Sequence, residues 1–120
     1  IGQYCRSLWD GEKPPFNKAA RLDFDRLATI REATDVHLIM HGNTHVDESD
    51  LERASLNGVS MIKIASEQAL SWANEIREFT AKNPDILFPE DVQRSALKEV
   101  KESMRHYIRL LHSNNQVDEL

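Results

Sequence analysis

The segment Val36-His-Leu-Ile-Met-His-Gly-Asn-Thr carries a run of large and β-branched apolar residues that stops at His41-Gly42. Such a run reads as a strand buried on both faces, the kind that parallel sheets contain. Val59 to Ala65, Val-Ser-Met-Ile-Lys-Ile-Ala, repeats the design, and Ser66 at its exit is a candidate cap for the next helix. Between the two strands, Asp47 or Ser49 can cap a short helix that Asn57-Gly58 ends, with Gly58 as the left-handed stop. Upstream, Asp23 can cap a helix with Phe24, Leu27, Ile30 and Ala33 on one face, leaving Arg26, Arg31 and Glu32 for solvent. Downstream, Ala69, Trp72, Ala73, Ile76 and Phe79 make one face of a helix from Glu67 to about Lys82, which Asn83-Pro84 terminates. Pro89 then supplies the first residue of a long amphipathic helix with a stripe of Val92, Ala96, Val100, Met104, Ile108 and Leu111. That helix should cover an edge or pack against a partner.

Ile1-Gly2-Gln3-Tyr4-Cys5 reads as the end of a further strand, Arg6 to Arg21 as a loop rich in Gly, Pro and charge, and Ser113 to Leu120 as a polar, frayed tail. Strand, helix, strand, helix, strand, helix, helix is an α/β pattern built on a parallel sheet. Three strands cannot close a barrel. An eight-unit β/α barrel takes roughly 200 to 250 residues or more, so a 120-residue chain of that kind would hold its last third or so.

Length allows one domain at most, and a formal net charge of -5 gives no broad electrostatic footprint for nucleic acid or an anionic membrane. No apolar run approaches the ~20 residues of a membrane span, so a soluble, cytoplasmic protein is expected. Cys5 is the only cysteine and has no internal disulfide partner.

Candidate chemistry gathers at the strand exits, where α/β sheets and barrels place their ligands. His41 can ligate a metal through a neutral imidazole or bond to loop backbone. His37, four residues up the same strand, is expected in the packed layer, and His45 in a solvated loop. Gly42-Asn43-Thr44 and Ala65-Ser66 offer hydroxyls and free backbone N–H groups that can cradle a phosphate, although loop and helix-cap chemistry accounts for the same residues. Lys63 is either aimed at a ligand or snorkelling at the sheet's rim. Cys5 is either a small core residue or a thiolate ligand.

In those two strands with their exits, in Leu22-Asp23-Phe24-Asp25-Arg26-Leu27, and in Glu78-Phe79 to Asn83-Pro84, the chain resembles the C-terminal portion of the class II, metal-dependent ketose-bisphosphate aldolases, the fructose-bisphosphate and tagatose-bisphosphate enzymes. The resemblance implies the last part of a TIM (β/α)8 barrel, about three βα units plus a long C-terminal helix, spanning residues 1–120 as one segment of a single barrel domain. It also implies zinc or another divalent metal, and reversible aldol cleavage of a ketose bisphosphate to dihydroxyacetone phosphate and an aldehyde. The partners would be a phosphorylated sugar and a second copy of the chain. His41 matches the family's last metal-binding histidine. Cys5 stands where the family has another histidine ligand, and Arg6 replaces the glycine after it. Gly42, Asn43 and Thr44 fall on the phosphate-holding Gly-Gly-Ser, with Asn43 and His45 bulkier than the pattern. Lys63, Ile64, Ala65 and Ser66 fall on the Asn-x-Ala/Asn/Asp-Thr run that binds the dihydroxyacetone phosphate portion, with Lys63 in place of asparagine. The proton-transferring aspartate belongs to earlier strands, so this segment alone is expected to be inactive. The departures at Cys5, Arg6 and Lys63 leave a competing expectation: a divergent, non-catalytic module that binds sugar phosphate or serves assembly.

Overall fold

The computed structural model describes residues 21–43 and 46–115. The expected strand at Ile1 to Cys5, most of the loop after it and the last five residues lie outside the described residues. Six elements follow in order: α1 (Phe24–Glu32), β1 (Leu38–Met40), α2 (Glu48–Leu56), β2 (Val59–Ile62), α3 (Ser66–Lys82) and α4 (Pro89–Leu110). They fall into two compact units, one running to Ile64 and including Leu110–His112, the other comprising Ala65–Arg109 and the residues from Ser113 onward.

The first unit is a β-α-β arrangement in which β1 and β2 pair in parallel, with Ile39 opposite Met61 and Met40 opposite Ile62. Parallel neighbours need a crossover, and α2 supplies it. Asp47 starts α2: its carboxylate accepts from the Ser49 backbone N–H at 2.9 Å and from the Ser49 hydroxyl at 2.6 Å. Leu51 and Ala54, at 1% and 0% exposure, form the face that α2 buries. Gly58 stops the helix as expected, at φ +98. A Cβ there would also crowd the Arg31 Cδ at 3.0 Å, but that exposed side chain can shift, so it is the backbone conformation that demands glycine.

Asp50, in the first turn of α2, is 2% exposed and holds the strand of chain that leads into α1. Its carboxylate accepts a bidentate pair from the Arg21 guanidinium, at 2.9 and 2.8 Å, and the Leu22 backbone N–H at 2.8 Å. Next to this clamp Asp23 caps α1 by accepting from the Arg26 N–H at 2.9 Å. The Arg53 guanidinium lies 3.9 Å from the Phe24 ring centroid and ties the two helices together again. Even so α1 buries no residue completely, because a cleft of about 340 Å³ runs beside Leu27, Ile30, Leu38 and Met40.

Several expectations need correction. β1 is shorter than the apolar run: the Val36 N–H donates to the Thr34 hydroxyl and its carbonyl accepts from Arg31, so a turn takes the groups a ladder would use. The strands are covered on one face only. Met40 is 5% exposed, whereas the paired Ile39 and Met61 are 49% and 50% exposed. His37 is exposed and bonds to the Ser60 hydroxyl at 3.1 Å rather than lying in a packed layer. A register irregularity between Leu38 and Ile39 accompanies that change of facing.

In the second unit α3 and α4 run antiparallel. The Gln68 amide donates to the Ser103 hydroxyl at 3.1 Å, and the Ser95 hydroxyl donates to the Glu75 carboxylate seven residues further along α3. Ala96 is fully buried, but Met104 and Ile108 are 51% and 43% exposed. The reason is geometric: at 3.6 residues per turn each four-residue step rotates by about 40°, so a stripe from Val92 to Ile108 drifts by about 160°, nearly halfway round a straight helix. The inward positions of its second half pass to Ser103 and Tyr107, both half-buried.

Replacing Asp50 by alanine should cost about 2 kcal/mol of unfolding free energy. That is less than the roughly 3–5 kcal/mol of a fully buried pair, because the Arg21 side chain is 68% exposed. The check is the urea midpoint of the intact protein, and an unshifted midpoint would show the clamp to be idle. The Ser49 bonds hold the Asp47 carboxyl below its ordinary pKa of 3.8. A group depressed on folding stabilises the fold above its unfolded value, and that contribution is lost as pH falls from about 3.8 through the folded value. Acid unfolding of Asp47→Asn should therefore be shallower than that of the natural chain in this window; parallel curves would rule the linkage out.

Candidate active site

The parallel register fixes what the carboxyl edge of the sheet presents. The Lys63 N–H donates to the Met40 carbonyl at 3.1 Å, extending the ladder one step past the pair Met40 and Ile62. His41 and Lys63 are the next residues on their strands. Exposure alternates along both: Ile39 open, Met40 buried, His41 open; Met61 open, Ile62 half-buried, Lys63 open. Side chains alternate across a strand, so His41 and Lys63 stand side by side on the open face, above Ile39 and Met61. Among the described residues no hydrogen bond or ion pair engages the Lys63 ammonium or the His41 ring.

Immediately after His41 the backbone turns sharply. Gly42 has φ +68, the left-handed region that costs an L-residue roughly 1–2 kcal/mol. Asn43 then tucks inward at 3% exposure, and its carbonyl accepts from the Val46 N–H at 2.9 Å. The Asn43 Nδ2 is buried without a hydrogen-bond partner among the described residues. An orphaned amide donor of this kind is uncommon in folded proteins. The sequence suggested crowding at this position; it gave no sign that the amide would be buried.

Of the candidate residues, His41, Gly42, Asn43, Lys63 and Ile64 lie in the first unit, while Ala65 and Ser66 open the second. Ser66 is the first residue of α3 rather than its cap; Ala65 holds the cap position and no side chain bonds there. Cys5, Arg6 and Thr44 fall outside the described residues. Among the described residues no three His, Cys, Asp or Glu side chains gather as a metal-binding group. A single imidazole with no competing bond at a strand exit nevertheless fits one position of a divalent-metal site.

A parallel β-α-β unit whose carboxyl edge carries a histidine, a left-handed glycine and an amine defines an α/β protein with a ligand edge at its strand exits. Residues 11–116 match the model of the class II fructose-bisphosphate aldolase family. The chain belongs to that family. Family membership implies a TIM barrel, an aldolase-type activity and phosphorylated sugar substrates; the described residues themselves supply a two-stranded parallel sheet and its helices.

If the Asn43 amide serves an external acceptor rather than the fold, Asn43→Ala should leave the unfolding free energy within about 1 kcal/mol of the natural value. It should weaken binding of dihydroxyacetone phosphate by calorimetry. A large loss of stability with unchanged binding would make Asn43 a purely structural residue.

Proposed function

We propose that the chain is the later part of a single aldolase barrel and supplies one wall of its active site. The intact protein then cleaves a ketose bisphosphate reversibly to dihydroxyacetone phosphate and an aldehyde, in cytoplasmic carbohydrate metabolism. The observation that carries this reading is the placement of His41 at a parallel-strand exit, followed at once by Gly42 in the left-handed conformation, in a chain of this family.

Each residue has a task that follows from its chemistry. His41 would hold a divalent metal, zinc by the family's habit, through a ring nitrogen that no described residue occupies, with Cys5 as a second ligand. When bound, the metal supplies Lewis-acid polarisation of the ketone. Gly42 lets the backbone approach an anion where a side chain would obstruct it, and its neighbours Asn43 and Thr44 add donors. Ile64, Ala65 and Ser66 continue from the second strand exit, and the Ser66 hydroxyl and free N–H groups at the start of α3 suit a phosphate. Arg6 would add a guanidinium for the same group. Holding the phosphate away from the reacting carbons spends binding energy on orientation, which raises the rate of the chemical step.

The deciding experiment is elemental analysis of the intact protein purified without added metal, beside its His41→Ala and Cys5→Ala variants. Near-stoichiometric zinc that falls in both variants, together with cleavage of a ketose bisphosphate, is the expected result. Absence of zinc after incubation with excess metal would overturn the metalloenzyme reading and favour a non-catalytic module that binds sugar phosphate.

A further inference from the structure

Lys63 is the departure that the aldolase pattern does not absorb. Where an amide would both donate and accept hydrogen bonds, this chain places an ammonium, which only donates and carries a full charge. The structure gives it a defined position: in register with His41, on the same open face, at the same carboxyl edge, with adjacent strands about 4.8 Å apart. At this edge the Lys63 ammonium is exposed, and no described carboxylate engages it. Such an edge suits oxygen that gains negative charge.

We infer that Lys63 is a catalytic residue whose ammonium meets the ketone oxygen as charge develops on it. This inference rests on the aldolase reading above and assigns a charge-stabilising role within that same site. In the cleavage direction, the hydroxyl on the aldehyde side gives its proton to a carboxylate base from another part of the protein. The carbon–carbon bond then breaks and the aldehyde departs. The bonding pair becomes a carbon–carbon double bond beside the former ketone, and the ketone's π pair moves to its oxygen, where the Lys63 N–H groups receive it. The reverse half-reaction begins with dihydroxyacetone phosphate: a carboxylate removes the proton next to the ketone, and the same oxygen takes the same charge. Lys63 thus acts at a step that both directions share, and one that does not require the aldehyde.

The test uses the intact protein and dihydroxyacetone phosphate alone, in deuterated water. Exchange of the carbon-bound proton for deuterium reads charge formation on the ketone oxygen without carbon–carbon chemistry, and calorimetry gives affinity separately. Lys63→Met should slow exchange at saturating ligand by about 100- to 1,000-fold, the effect of removing one such donor, while affinity changes less than about threefold. Added ethylammonium should restore part of the exchange in Lys63→Ala and leave the natural protein unaffected. Because the side chain is exposed, both variants should keep the natural melting temperature. Full exchange at saturation in Lys63→Met, or loss confined to affinity, overturns the catalytic role and leaves the aldolase reading intact. A natural protein that neither binds dihydroxyacetone phosphate nor exchanges its proton overturns both.

Discussion

Parallel pairing of β1 with β2 is the constraint on which the first unit depends. Two strands that run the same way cannot be joined by a tight turn, so the chain between them must travel back along the sheet. It does so as α2, and every feature of that return serves the geometry. Asp47 starts the helix, Leu51 and Ala54 seat it, and Gly58 releases the chain directly into β2. Asp50 then uses the same first turn to hold Arg21 and Leu22 from 28–29 residues earlier in the chain. A buried carboxylate with three donors is a satisfied one, which is why a charge can sit at 2% exposure within so small a core. The pairing that needs α2 also aligns the strand exits, so the crossover and the candidate site have one origin.

Local signals in the sequence translated well into structure. Asp23, Asp47, Gly58 and Pro89 occupy the helix boundaries that their chemistry favours, because capping and left-handed stops depend on a few neighbouring atoms. Interactions that join distant segments were not legible. Nothing in an acidic first turn distinguishes Asp47, which serves its own helix, from Asp50, which reaches across the chain to Arg21. Apolar content also overstated the strands. Val36 belongs to the run by composition, yet its backbone groups are bonded to Thr34 and Arg31 before the ladder begins. The stripe on α4 holds at Val92, Ala96 and Val100 and opens at Met104 and Ile108, because spacing by four preserves a face over two turns and drifts off it further along.

For the candidate site, the sequence supplied the residue types and the order of the exits, and the structure supplied their facing. Alternation along a strand is indifferent to which side is covered; only packing decides it. With Met40 on the covered face, Ile39 and Met61 must turn the other way, and His41 and Lys63 turn with them. Slipping either strand by one residue would put one of the two on the covered face. The register therefore does for chemistry what it does for packing, because a single choice of pairing sets the facing of every residue on the edge.

The charge at that edge bears on how far a family's chemistry can drift while its fold persists. The described edge carries the His41 imidazole, the left-handed Gly42 and the Lys63 ammonium, while the Asn43 amide turns inward beside them. The two nitrogen donors therefore meet opposite surroundings: the ammonium keeps its water, whereas the amide Nδ2 is buried with no partner among the described residues and bears a desolvation cost of about 1–3 kcal/mol. Facing set by the strand register thus decides which of the two is open to a ligand and which weighs on the fold.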